Sequence, residues 1–457
     1  MNESLHAPGF VNYACQLCGW CCHQYDISFS KADFERLSKL DWGRLEPALA
    51  GKEWAAPLRE FGNPDSYRLR YAADGACVFL DGNQCRMHKH VGEFGKTLGC
   101  SAYPFTFAET PSGVYTGCRF SCKAMAYGLG EPLARRMDCL QKQLALCVEA
   151  GRVPRYGNNV VWDGRRTLPW TDYLALEEAL IRVLLRDDLP LPRRLFLMHK
   201  FMEVIHEAKL DRVRGPKFRE FIGILENGLL LEAEAEPLPG DGNWLSRMMF
   251  RQFCFLFQRR QGGSYREMNL LGKAGARLRT FWTGVQFTFG AGAPLLAAMP
   301  GPAPLAEVAA AAGKGGTLGV EAETAISRFL AAKLYGKQHF GKLFFNYPLR
   351  PGLEFLLLSA GAVMWYARAR TAARRSSQPA DSPTPAEAAE LRRAGAAELR
   401  RAGDSETTLE DVLEAIRYVD FCYGFSAAPA LSIERLRIRA LSHGDTAIRL
   451  VLAQYAK

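Results

Sequence analysis

From Leu133 onward, apolar residues recur every three or four positions, whereas the first 130 residues show no such rhythm. Leu133, Met137, Leu140, Leu144 and Cys147 mark one face of a predicted helix, with Pro132 at a position suited to its first turn. The same spacing predicts helices around Tyr173 to Leu185, Leu195 to Leu210, Trp244 to Arg259, Thr324 to Leu334 and Leu409 to Phe421. Thr407 and Glu410 give the last of these a capping-box pattern. The most apolar stretch, Leu353 to Ala367, has about 15 residues with Glu354 near its start. A bilayer needs roughly 20 apolar residues, so this segment predicts a buried helix and no membrane span.

Two stretches break the pattern. Residues 290–319 are rich in Gly, Ala and Pro; Gly290-Ala291-Gly292 and Gly313-Lys314-Gly315-Gly316 lack the spacing and preceding strand of a nucleotide fingerprint, which leaves a flexible loop. Residues 374–405 carry the tandem AELRRAGA-AELRRAGD and read as a basic low-complexity insert. The fold expected is mainly α: a small irregular cysteine-rich module over residues 1–128, then a multi-helix region over 129–457.

Composition changes this picture in two ways. At 457 residues and 48% hydrophobic, the chain is long enough for more than one domain and is not disordered throughout. Its 58 basic against 48 acidic residues give a net charge of +10, and residues 368–401 alone hold eight Arg against four acidic residues. No nucleic-acid-binding motif accompanies that run, so nucleic acid is not the expected partner.

The chemistry lies in the cysteines. Nine of thirteen fall in the first 122 residues: Cys15, Cys18, Cys21, Cys22, Cys77, Cys85, Cys100, Cys118 and Cys122. Thiols three apart sit around one loop at a spacing found in zinc and iron-sulfur sites. Cys15, Cys18 and Cys21 repeat the ferredoxin C-x2-C-x2-C run, and Cys22 is expected to serve a second centre or to pack beneath the first. Cys77 and Cys85 flank a turn signal at Asp81-Gly82-Asn83. A disulfide framework would need an oxidising compartment, and the opening MNESLHAPGF shows no signal-peptide pattern, so reduced thiols in the cytoplasm are expected. His23, His88 and His90 are secondary ligand candidates. His199 and His206 share a helix face but stand two turns apart, which disfavours a common ion. Cys139, Cys147, Cys254 and Cys422 lie outside the cluster, the last three in apolar runs that read as core.

These blocks resemble a known family. Cys15-x2-Cys18-x2-Cys21-Cys22, Cys77-Val78-Phe79-Leu80 with Cys85, and Cys100-x2-Tyr103-Pro104 are similar to the YkgJ-like cysteine-cluster family of zinc- or iron-chelating domains, named for its CxxCxxCC motif. Arg119-Phe120-Ser121-Cys122 resembles an element of its long members, which include the flagellin lysine-N-methylases. Lys123 stands where the family often has Pro, and Lys96 where it often has Arg. The resemblance implies an iron-sulfur cluster, expected as 4Fe-4S, or zinc in the N-terminal module. For the long members it also implies methyl transfer to lysines of a protein substrate, with S-adenosylmethionine as donor. The other expectation is a non-enzymatic zinc- or iron-binding module with a helical region that docks a partner. Spacing assigns no general acid or base: Asp26, Asp74, Asp81 and Glu93 lie near the cysteines but read equally well as loop residues.

Overall fold

The computed structural model describes residues 4–58, 66–72, 75–164, 166–208, 212–232, 238, 243–258, 269–294, 296, 299, 301–311, 318–377, 407–425 and 428–454. Asp74, Gly313–Gly316 and the insert beyond Ser377 lie outside the described residues. The chain forms two units, Met1–Arg155 with Arg260–Arg277, and Tyr156–Arg259 with Leu278–Lys457.

Small sheets frame the first unit. Strand Gly113–Cys118 runs antiparallel to Phe105–Thr110, and Leu5–His6 joins its other edge in parallel. A second sheet sets Ser66–Leu69 between Ser28–Ser30 and Ala55–Pro57. Helix Lys31–Ser38 follows directly, because the Ser30 hydroxyl accepts from the Asp33 amide and satisfies one of the orphan N–H groups at its start. Phe29 and Leu69 of this sheet pack with Leu37, Trp42, Leu49, Phe79 and Met87 into one core that includes Cys77. Full burial of such side chains contributes about 1.5–3 kcal/mol each, enough to hold a module with so little regular structure. The turn expected between Cys77 and Cys85 is present: Leu80–Asp81 pairs with Gln84–Cys85 around Gly82, whose φ is 55°.

The second unit is mainly helical, as the apolar rhythm predicts. Trp170–Leu184, Leu191–Glu207, Trp244–Leu256, Val320–Tyr335 and Leu409–Phe425 match the five predicted runs. The apolar stretch lies inside the helix Leu349–Ser377, which is buried at every position from Gly352 to Ala369. Leu409–Phe425, Thr446–Leu452, Val320–Tyr335 and Leu191–Glu207 surround it. Among the described residues no helix is long and apolar enough to cross a membrane. Within the expected loop 290–319, Leu305–Ala311 is a short helix. The capping box at Leu409–Phe425 falls one residue later than expected: the Thr408 hydroxyl accepts from the Asp411 amide at 3.2 Å, and Asp411 Oδ2 accepts from the Thr408 amide at 3.2 Å. Asp411 is the residue with further partners, since Thr371 and Arg374 of the long helix both donate to it.

Candidate metal centre

Four separate segments carry the candidate thiols. Cys15 and Cys18 are exposed on an irregular loop, and Leu17 (φ 49°) and Gly19 (φ 66°) turn that loop into the short helix Trp20–Gln24. Gly19 is needed there, since its left-handed backbone is strained for any side chain and Leu80 lies 3.4 Å from where a Cβ would sit. The helix carries Cys21 and Cys22. Its Cys22 carbonyl accepts from the Cys77 amide at 2.9 Å, which ties the first cysteine block to the second. Cys85 closes the hairpin beside Cys77. Cys100 sits on Leu98–Ala102. Cys22, Cys85 and Cys100 all pack against the hydrophobic core that contains Cys77.

A latch holds the Cys100 segment, and its residues carry no sequence motif. Asp33 Oδ2 accepts from the Leu98 amide at 3.1 Å, while Arg36 donates to the carbonyls of Gly95 and Lys96, the latter at 2.9 Å. Asp33 and Arg36 pair with each other at 2.6 Å. This places Lys96 where its charge lowers the proton affinity of both Cys21 and Cys100.

The thiols sense one another. A hydrogen bond from Cys22 holds the Cys21 thiol below its ordinary value, and the same bond, followed by burial and the neighbouring charges of Cys21, Cys77 and Cys85, raises Cys22. Burial raises Cys77, with Cys100, Cys85 and Cys21 adding to the effect. Burial pushes Cys100 up to about 11 and Cys122 up to about 12; Cys122 also feels Cys21 and Cys15. Cys15, Cys21, Cys22, Cys77, Cys85, Cys100 and Cys122 thus form one connected electrostatic set. Cys22 belongs with Cys21, Cys77 and Cys85 in it. Cys118 is fully buried at the end of its strand, opposite Phe105.

Cys77, Cys100 and Cys122, whose proton affinity burial raises, are thiols that a bound metal cation would convert to thiolates, and the charge of Lys96 favours the thiolate at Cys21 and Cys100. Among the described residues no three cysteine sulfurs lie all within 4.8 Å of one another. A zinc-thiolate tetrahedron with Zn–S near 2.3 Å has edges of about 3.8 Å. Aromatic rings stand beside the set: Tyr25 packs on Trp20 and Tyr103, with centroids 5.9 and 5.0 Å away, and its hydroxyl pairs with Ser121 Oγ at 2.7 Å.

Residues 14–123 match the family model CxxCxxCC, described as "Putative zinc- or iron-chelating domain". The match spans all nine clustered cysteines and ends at Lys123. No curated protein and no solved structure matches the chain significantly.

Of the other candidates, His88 is exposed, and partial burial with the charge of Lys96 lowers its proton affinity. His90 is bound to Glu46 at 2.7 Å, and His23 is exposed. Lys89 and His90 hold the Glu46 carboxyl down at about 2. Cys147, Cys254 and Cys422 are buried as core residues, and the Cys422 thiol donates to the Phe257 carbonyl at 3.0 Å. Cys139 faces Glu93 at 3.9 Å. None of the thirteen cysteines is in a disulfide. His199 and His206 do not converge: His206 turns to Asp163 at 3.0 Å and to Arg166, while His199 faces carboxylates that sequence spacing did not pair with it.

Proposed function

We propose that the N-terminal unit is a thiolate metal centre that holds an iron-sulfur cluster, its ligands drawn from Cys15, Cys18, Cys21, Cys22, Cys77, Cys85, Cys100, Cys118 and Cys122. The observation that carries the reading is the convergence of Cys22, Cys77, Cys85 and Cys100 on one core, with Cys21 hydrogen-bonded to Cys22 beside it. Thiolates suit both metals, and the ferredoxin-like C-x2-C-x2-C run of Cys15, Cys18 and Cys21 favours a cluster of several irons. Such a cluster, when bound, would supply one-electron chemistry, and the surrounding aromatics would limit its exposure to water. Thiols of this kind need a reducing compartment, and a cytoplasmic location supplies one.

The resemblance to the flagellin lysine-N-methylases extends the proposal to methyl transfer from S-adenosylmethionine to lysines of a partner protein. That extension rests on the order of the cysteine blocks and the long helical region behind them. A structural zinc or iron module explains the same cysteines without catalysis.

Protein purified without oxygen is expected to contain iron and acid-labile sulfide. Serine at Cys21, Cys77, Cys85 or Cys100 should remove most of the metal, because a lost thiolate removes much of the free energy that couples binding to folding. Serine at Cys139, Cys147, Cys254 or Cys422 should leave it unchanged. Stoichiometric zinc without sulfide would overturn the cluster, and full metal in every variant of the first group would overturn the ligand assignment.

A further inference from the structure

We propose a second metal site, in the helical unit, where His199, Glu203 and Asp445 bind a divalent first-row transition ion such as manganese or ferrous iron. Their ligand atoms all lie within 4.8 Å of one another. His199 and Glu203 are one turn apart on Leu191–Glu207, and Asp445 caps Thr446–Leu452, so two elements bring the three together. His199 Nε2 stands 3.2 Å from Asp445 Oδ1 and 3.4 Å from Glu203 Oε2. Ligands at about 2.1 Å from an ion have edges of about 3.0–3.4 Å, so the two carboxylates converge on the imidazole at ligand spacing.

The bland reading is a histidine clamped between two carboxylates. Two observations point beyond it. The cations at the rim pair loosely, Lys200 with Glu203 at 3.9 Å and Arg449 with Asp445 at 3.6 Å. The second is a buried carboxylate within electrostatic reach of the histidine. Glu354 of the long helix is 1% exposed, and its charge is felt by His199 and Glu203. Among the described residues Glu354 Oε2 has no hydrogen-bond partner, and neither does His199 Nδ1, itself in a 1% exposed residue. Arg350 reaches only the other Glu354 oxygen, at 4.0 Å. An imidazole that binds metal through Nε2 carries its proton on Nδ1 and donates it to a second carboxylate, which fixes the tautomer and strengthens the ligand. Nδ1 and Glu354 Oε2 stand beyond hydrogen-bond distance of each other, so Glu354 would take that role by closing on the ring. Glu203 and Asp445 are 26% and 35% exposed, which leaves an entry path for the ion. One imidazole with two carboxylates suits manganese and ferrous iron better than the thiophilic ions of the cysteine module.

The test uses the full chain and Mn²⁺, which thiolates bind poorly, followed by loss of the free-ion EPR signal. One ion per chain is expected. Asp445→Asn and Glu203→Gln, at partly exposed positions, should weaken binding at least about tenfold, and Glu354→Gln about 10–100-fold. Cys21→Ser should leave it unchanged, which separates this site from the cysteine centre. Circular dichroism verifies that each variant is folded. No Mn²⁺ uptake at about millimolar ion, or uptake retained by the folded Asp445→Asn and Glu203→Gln variants, would overturn the proposal.

Discussion

Single residues in the helical unit keep charge out of water, and they divide into paired and unpaired groups. Lys337 and Glu177 are both buried and bond at 2.5 and 2.7 Å; burial lowers the lysine and raises the carboxyl, while each partner opposes the change in the other. Lys333 and Asp420 form a second buried pair. Among the described residues no acid pairs with His339. Its Nδ1 lies 3.3 Å from the Lys333 carbonyl and, among the described residues, its Nε2 has no partner; burial, with Lys337 assisting, pushes it from 6.5 down to about 3. The folded state therefore holds this imidazole neutral over a range where the unfolded chain takes up a proton. Its contribution is intact above about pH 6.5 and is lost progressively as pH falls toward about 3. His339→Gln should remove that part of the acid sensitivity, by an amount on the order of a few kcal/mol at pH 3 relative to pH 7. Denaturant unfolding of both proteins across this range measures it, and parallel stability curves would refute the assignment.

Among elements, legibility followed how far a pattern could run. Helices with a long buried face, such as Val320–Tyr335 and Leu409–Phe425, were readable from spacing alone. Leu270–Phe289 was not, because Leu270, Leu271, Leu278, Phe281, Trp282 and Phe289 are exposed and so mark no single buried face. The strands were illegible for another reason: pieces of two to six residues are too short for alternation to accumulate, and Leu5–His6 pairs with a strand more than a hundred residues away. Two glycines test how tightly the helices pack. A Cβ at Gly352 would overlap the His339 carbonyl oxygen, a backbone atom that cannot swing aside. Gly352→Ala should therefore destabilise by at least about 2–3 kcal/mol. At Gly228, in Pro216–Glu232, an added Cβ would meet nothing within 4 Å, so Gly228→Ala should stabilise by up to about 1 kcal/mol. Thermal unfolding of the pair checks both signs, and a neutral Gly352→Ala would show that the contact yields.

On the scale of the whole molecule, the cysteine spacing announced a metal-binding module but not its supports. The latch of Asp33 and Arg36 and the trio of His199, Glu203 and Asp445 draw on residue types too common to signal anything until folding brings them together. The family match likewise stops at Lys123 and leaves the helical unit to be interpreted on its own chemistry. If the whole chain is a lysine methylase in which a cluster in the cysteine module acts on S-adenosylmethionine, catalysis needs that module. Cluster-loaded protein given a reductant, methyl-labelled S-adenosylmethionine and lysate from its own source should then label lysines of another protein. Cys21→Ser should abolish the label, and Cys139→Ser should leave it unchanged. Failure to bind or consume the cofactor with the cluster verified intact would remove the methylase reading and leave a metal-binding module whose helical unit serves another purpose.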